Sequence, residues 1–233
     1  MIPFKVVEEF LDEDEIEDVL SSLYKLREHW ELDVKGGYAA TLPSGHHSNR
    51  INAVMPRDPI VQTFMLEEFS WLWMKVFEAL GEHYGRPVSF HPELGYAGFN
   101  LIIGPIDNLT PFYGPMPLSY HLDPIARTRA YLEGTDIWHL DAEDDFEHIT
   151  SIEGAVMESL VVPIKLPSAP TGLKWKDDAG EIQEMWYKVG EMGMWSGHTE
   201  HAVGQVICEE GESRITLQLF VAILDENVFV FHC

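Results

Sequence analysis

Three side chains with metal-binding chemistry are spaced so that a β fold would bring them to one point. His121 and Asp123 flank a single leucine in a short strand candidate, and residues i and i+2 of a strand project from one face, roughly 6.6 Å apart. His201 lies at the end of another strand candidate. Two imidazoles and one carboxylate form the ligand set of non-haem iron(II) sites that keep coordination positions open for other molecules. We therefore predict that these three residues are the metal and catalytic ligands.

A guanidinium follows this ligand set. Arg214 lies 13 residues after His201 on a predicted strand, and Thr216 shares its face. The planar fork of arginine matches a carboxylate through two parallel hydrogen bonds, and a nearby hydroxyl adds a donor. A 2-oxo acid would fill two open metal positions and dioxygen the third. Arg214 and Thr216 would together form a clamp for the carboxylate at the other end of the 2-oxo acid. Arg214 and Thr216 are therefore predicted to bind 2-oxoglutarate.

Four more residues are candidates for contacts with bound molecules. Asn100 and Tyr96 are four residues apart on one predicted strand and share a face. Gln218 shares the face of Arg214, and Trp195 precedes the turn that leads to the distal histidine. We assign Asn100 to the co-substrate and the other three to the substrate. Each also has an ordinary structural interpretation, as a polar residue satisfied within a sheet or as a core tryptophan.

A second His-x-Asp pair competes with the first. His139 and Asp141 have the same spacing and lie nearer to the apolar strand predicted at residues 158–166. They stand in an acidic run, which is typical of a solvated loop. His121 and Asp123 are preferred for this reason, and the second pair stays open as the alternative.

Four other residues are weighed and set aside. His198 competes with His201, but the gap to the arginine and the following Ala-Val favour His201. His46 and His47 occur in a Gly- and Ser-containing segment, interpreted as a surface or lid loop rather than a metal pair. Lys165 lies in an apolar strand candidate and is expected to point outward.

Helical spacing in the first part of the chain gives way to strand-like runs. Residues 12–30 predict an amphipathic helix with a capping box at Asp12 and Glu15, and residues 59–83 predict a second helix ended by Gly85. Residues 34–48 and 105–117 are expected to be loops that act as lids or line a peptide groove. The predicted strands are 96–103, 118–122, 158–166, 185–189, 202–208, 214–224 and 228–231. This order predicts a mainly β sandwich or barrel with flanking helices.

Length and composition restrict the classes of protein. The 233 residues fit one domain, with a helical part at about 1–85 and a β core at about 88–233. A net charge of -24 disfavours nucleic acid and anionic membranes as partners. Cys208 and Cys233 do not make a disulfide framework, and neither a secretory leader nor a membrane-spanning run is apparent. We expect a cytoplasmic protein; its oligomeric state is not specified by these features.

The motifs resemble the iron(II)- and 2-oxoglutarate-dependent oxygenases, nearest to prolyl-hydroxylase-like and small-molecule members. The similar segments are residues 120–124 (YHLDP), 190–206 and 211–217, together with residues 7–15 at the entry to the first helix. The resemblance implies a double-stranded β-helix, the cupin-like jelly roll, and cleavage of 2-oxoglutarate to succinate and carbon dioxide. Halogenating relatives lack the carboxylate ligand, so Asp123 implies hydroxylation or a variant such as desaturation.

The expected enzyme uses Fe(II), 2-oxoglutarate and O2, with ascorbate as a reductant. It would hydroxylate a C–H bond of a small molecule such as an amino acid or a biosynthetic intermediate. One alternative is a peptidyl or protein hydroxylase. Another is a non-redox cupin-type metal-binding protein, which would not need Arg214 and Thr216 at this gap. A scaffold with purely structural His and Asp residues is the third.

Overall fold

The computed structural model describes residues 4–26, 31–33, 39–42, 59–91, 98–103, 140, 154–177, 179–203 and 212–231. Its helices are α1 (Glu13–Lys25), α2 (Pro59–Glu68) and α3 (Ser70–Tyr84). Its strands are β1 (Phe4–Val7), β2 (Glu31–Asp33), β3 (Ala39–Leu42), β4 (Val88–Phe90), β5 (Gly98–Ile103), β6 (Val156–Lys165), β7 (Gly172–Lys176), β8 (Ile182–Trp186), β9 (Met192–Ser196), β10 (His201–Val203), β11 (Ser213–Leu224) and β12 (Asn227–Phe231).

Helix α1 begins where its capping box predicts. The Asp12 carboxylate accepts a hydrogen bond from the Glu15 backbone N–H, and the Glu15 carboxylate accepts one from the Asp12 N–H, both at 2.9 Å. The two bonds satisfy donors that a helix start otherwise leaves unpaired. The helix is shorter than predicted, because it ends at Lys25 and the chain forms a strand at Glu31–Asp33.

The predicted helix over residues 59–83 is two helices, and its prediction as one is wrong. Phe69 leaves helical geometry with φ -107° and ψ 22° between α2 and α3. The Trp73 indole N–H donates to the Met65 carbonyl at 3.1 Å, which the Phe69 N–H also contacts at 3.2 Å. This shared carbonyl marks the break. Gly85 ends α3 in the left-handed region, at φ 62°, as its position predicts.

Two sheets form the core of the described chain. The larger has the order β1-β9-β6-β11-β5-β3-β2, with β12 paired to β11 and β4 to β12. The smaller has the order β10-β7-β8. Among the described strands, β10 therefore lies at an edge. The mainly β architecture with flanking helices is confirmed.

Alternation along β11 assigns its two faces. Ile215, Leu217 and Leu219 join one buried cluster with Leu72 and Val76 of α3, so this face of the large sheet packs on the helices. Successive strand residues point to opposite faces. Arg214, Thr216 and Gln218 therefore face away from the helices.

The opposite face of the large sheet packs on the small sheet. Val161 of β6 and Trp195 of β9 form one buried cluster with Leu173 of β7 and Tyr187, which follows β8. This cluster is the interior of the sandwich, hereafter the inter-sheet cluster.

Several short strands depart from the sequence prediction. β1, β4, β7 and β9 were not predicted, and β3 lies inside the expected loop 34–48. Each is three to five residues long, too short for a periodicity to be decisive. Pairing with longer neighbours forms them, as when β3 pairs with β5. The strand at 118–122 and the loop at 105–117 lie outside the described residues. Among the described helices, none is long and apolar enough to cross a membrane.

A group of polar side chains joins α3 to the large sheet. The Tyr84 hydroxyl donates to the Glu158 carboxylate at 2.5 Å, and burial, followed by this bond, raises the pKa of Tyr84. Lys5 donates to His83 Nδ1 at 2.5 Å. Because an ammonium group only donates, His83 accepts at Nδ1 and is neutral here. Burial, and then the charge of Lys5, lower the pKa of His83, although Glu158 opposes this.

The lowered pKa of His83 predicts a loss of stability in acid. The unfolded chain binds a proton at the ordinary histidine pKa, and the folded chain binds it only at lower pH. Stability should therefore be full above the ordinary pKa and fall as the pH drops through it. In urea unfolding at about pH 7.5 and about pH 5.5, His83→Gln should reduce this loss relative to wild type. An unchanged pH dependence in the variant would contradict the assignment.

Candidate functional site

His201 is a buried imidazole with a defined tautomer. It opens β10, lies opposite Trp175 of β7 and is 2% exposed. Its Nδ1 lies 2.8 Å from the Thr199 carbonyl oxygen. A carbonyl only accepts, so Nδ1 carries a proton, and whenever the ring is neutral the lone pair is on Nε2. This arrangement, with the second nitrogen bonded to a backbone carbonyl, is the one found in metal-binding histidines.

Trp195 lies directly beside this imidazole. The two rings meet edge to face with centroids 5.3 Å apart. Phe4 of β1 also stacks on Trp195, with ring centroids 5.6 Å apart, and on Trp175 at 5.6 Å, so it joins the two sheets. Within the described part of the chain, the buried indole N–H of Trp195 has no hydrogen-bond acceptor. An unmatched buried donor costs about 1–3 kcal/mol, which a bound acceptor would recover.

Arg214 and Thr216 are buried on the inner face of β11. Arg214 is 6% exposed and Thr216 is 2% exposed. Thr216 lies opposite Pro163 on one side and Asn100 on the other. The Arg214 guanidinium carbon lies 5.3 Å from the centre of the Tyr187 ring. Gln218, two residues further, lies half-buried opposite Val161.

The imidazole and the guanidinium border one interior. His201 contacts Trp195, and Arg214 contacts Tyr187. Both aromatic residues belong to the inter-sheet cluster. An imidazole and a guanidinium thus reach the same apolar region from different sheets. Such a region excludes water and strengthens electrostatic interactions with a bound ligand.

Most of the remaining sequence candidates lie outside the described residues. Asn100 lies on β5 in register with Thr216, and nothing is described of its side chain. Leu140, between the residues of the second His-x-Asp pair, is half-buried. Within the described ranges, no three His, Cys, Asp or Glu side chains are grouped to hold a metal. The candidates outside the described residues are His46, His47, Tyr96, His121, Asp123, His139 and Asp141.

Two residues that the sequence interpretation set aside, His198 and Lys165, lie in the described part of the chain. His198 is exposed in the turn before β10, whereas His201 is buried on the strand. The structure therefore separates the two histidines by burial. Lys165 is half-buried at the end of β6, opposite Ile215, next to a register shift in the β6–β11 ladder.

Sequence reasoning missed three aromatic residues of the site. Phe4 and Trp175 lie on strands that were not predicted, and Tyr187 lies just beyond β8. A signal for Trp175 was present, because Leu173 and Trp175 alternate with lysines at a strand period. For Phe4 and Tyr187 the contacts are long-range and leave no local pattern.

Comparison with solved structures finds this fold in other proteins. The α-ketoglutarate-dependent epimerase SnoN from nogalamycin biosynthesis aligns over 95% of this chain and 77% of its own, with a TM-score of 0.54 and 12% identity. An oxidoreductase of the 2OG-Fe(II) oxygenase family from Burkholderia pseudomallei aligns over 97% and 86%, with a TM-score of 0.52 and 12% identity. The chain shares the fold of both proteins, and the jelly roll expected from the sequence is confirmed.

A further alignment covers a smaller share of both chains. An N-substituted L-amino acid dioxygenase from Burkholderia ambifaria AMMD aligns over only 33% of this chain and 39% of its own, at 10% identity and a TM-score of 0.28. The chain thus spans about two fifths of that enzyme. No protein-family model matches the sequence. No curated protein matches it either.

The bridging position of Phe4 predicts a specific loss of stability. A Cβ at Gly193 would lie 2.8 Å from the Phe4 ring, so the ring lies over bare backbone as well as over two indoles. Phe4→Ala should lower the free energy of unfolding by roughly 2 kcal/mol and alter tryptophan fluorescence. Val6→Ala is the control: on the same strand and 38% exposed, it should cost under about 0.5 kcal/mol. Equal losses in urea unfolding would show that Phe4 does not join the sheets.

Proposed function

We propose that the chain is an iron(II)- and 2-oxoglutarate-dependent oxygenase, in which His201 holds the metal and Arg214 holds the co-substrate. One observation carries this proposal. A buried imidazole of fixed tautomer and a buried guanidinium border the same inter-sheet cluster, in a fold shared with a 2OG-Fe(II) oxygenase family member. In this proposal residues 1–233 form one domain.

The metal needs two ligands beyond His201. They are proposed to come from one of the two His-x-Asp pairs, His121 with Asp123 or His139 with Asp141. Both pairs belong to the segment between β5 and β6. Among the described strands β10 is an edge, and a strand from that segment placed against it would bring either pair beside His201. Bound iron would supply the activation of O2 that the oxidation of a C–H bond requires.

The described residues then have defined tasks. Arg214 binds the far carboxylate of 2-oxoglutarate bidentately, and the Thr216 hydroxyl adds a hydrogen bond. Nε2 of His201 faces the metal because the Thr199 carbonyl holds Nδ1–H. The Trp195 indole N–H is a donor for an oxygen of the bound molecules, and Gln218 and Tyr96 are further candidates for substrate contacts. The apolar inter-sheet cluster limits the access of water.

The substrate is proposed to be a small molecule, such as an amino acid or a biosynthetic intermediate, and the reaction a hydroxylation. The net charge of -24 favours a neutral or cationic substrate over an anionic one. Peptidyl or protein hydroxylation is the runner-up. Turnover with free amino acids against peptides of matched sequence separates the two. We infer a cytoplasmic location only from the sequence features above.

A non-redox cupin-type metal protein is the competing class. Such a protein would share the fold and a metal-binding His201. It would not need a buried Arg214 beside a buried Thr216. Conversion of 2-oxoglutarate to succinate, with Fe(II), O2 and ascorbate present, decides between the classes. Absence of both turnover and binding of 2-oxoglutarate would favour the cupin.

Substitution of Arg214 separates the carboxylate clamp from the metal site. Arg214→Met keeps much of the side-chain volume but removes the charge and all five donors. Loss of a charge-assisted pair should weaken 2-oxoglutarate binding at least about thirtyfold. Mn(II) affinity should change by less than about threefold, because the metal ligands are elsewhere.

Two controls make the Arg214 result interpretable. Arg214→Lys keeps the charge without the fork and should bind 2-oxoglutarate with intermediate affinity. His201→Ala should lose Mn(II) affinity, and calorimetric titration of each ligand measures both quantities. Equal loss of metal and oxo acid in Arg214→Met would argue against the clamp.

A further inference from the structure

The Arg214 guanidinium lies on an aromatic ring. Its central carbon is 5.3 Å from the centre of the Tyr187 ring, within the range of a cation–π interaction. Both residues are buried. A desolvated cation–π contact is stronger than an exposed one, because water does not screen the charge. The ring therefore stabilises the charge of the guanidinium that lies over it.

Tyr187 is itself held in place by the small sheet. Its backbone N–H donates to the Thr171 carbonyl at 3.0 Å, directly beyond the β7–β8 pairing. At the same point the two strands approach so closely that a Cβ at Gly172 would lie 1.9 Å from the Met185 carbonyl oxygen. The ring also packs in the inter-sheet cluster. Tyr187 thus presents a fixed surface on the small sheet to an arginine on the large one.

We propose that Tyr187 is a positioning residue that fixes the Arg214 fork and so selects the chain length of the oxo diacid. The proposal rests on the function proposed above. An unsupported arginine side chain loses much rotamer freedom when it binds a carboxylate, and a preformed support reduces this loss. A fixed fork also holds its distance from the metal constant, so a diacid one carbon longer fits less well.

The test compares two variants of Tyr187. Tyr187→Phe keeps the ring and should bind 2-oxoglutarate within about threefold of wild type. Tyr187→Leu removes the ring and should raise the Kd for 2-oxoglutarate roughly tenfold, with Mn(II) affinity changed less than about twofold. The Kd for 2-oxoadipate should rise less, so the preference for the shorter diacid narrows. Titration calorimetry measures Mn(II) binding to the metal-free protein and the binding of both diacids to the Mn(II)-loaded protein.

The matched control is the adjacent residue. Trp186 is 56% exposed on β8, and Trp186→Leu should leave every Kd within about twofold of wild type. If Tyr187→Leu does not fold, Tyr187→Met takes its place, since methionine fills irregular gaps without an aromatic face.

Each outcome has a defined meaning. Wild-type affinity and selectivity in the ring-less variant would overturn the positioning role. Equal loss of Mn(II) and 2-oxoglutarate would show a structural role instead, and a Tyr187→Phe defect as large as that of Tyr187→Leu would assign the effect to the hydroxyl. Failure of the wild-type protein to bind 2-oxoglutarate would refute the proposed function itself, and the positioning role with it.

Discussion

The burial of one imidazole and one guanidinium between two β-sheets is the constraint on which the site depends. Desolvation of polar and charged groups is unfavourable unless partners compensate for it. The hydrogen bond to the Thr199 carbonyl offsets part of the cost of burying His201. The cation–π contact with the Tyr187 ring offsets part of the cost of burying Arg214. A sandwich built only for stability would favour apolar residues at these positions. Their presence is explained if they bind ligands.

The fold places these groups through the alternation of its strands. The odd-numbered residues of β11 from Ile215 to Leu219 pack in the core on the helix side of the large sheet. The even-numbered residues Arg214, Thr216 and Gln218 therefore face the small sheet. In the small sheet, pairing of β10 with β7 sets His201 opposite Trp175. A one-residue slip of either strand would move Arg214 or His201 to the opposite face of its sheet. Apolar packing on both sides of the large sheet therefore fixes the position of the arginine as well as the stability of the core.

The sequence predicted the long strands β6 and β11 closely and named His201, Arg214 and Thr216 as candidates, but it did not predict the aromatic residues around them. β11 was predicted almost to the residue, as 214–224 against the observed Ser213–Leu224. The helix break at Phe69 is accompanied by a hydrogen bond from the Trp73 indole to the carbonyl of Met65, eight residues earlier, which the helical pattern of the sequence does not reveal. Phe4 and Tyr187 contact the site from opposite parts of the chain. Their roles follow only from the pairing of strands.

A crystal structure of the protein with Mn(II) and 2-oxoglutarate tests the central claim most directly. Anomalous scattering should place the manganese at Nε2 of His201, with one His-x-Asp pair completing its protein ligands. The far carboxylate of 2-oxoglutarate should lie in the plane of the Arg214 guanidinium, within hydrogen-bonding distance of Thr216. Manganese bound away from His201, or an oxo acid that does not contact Arg214, would contradict the account.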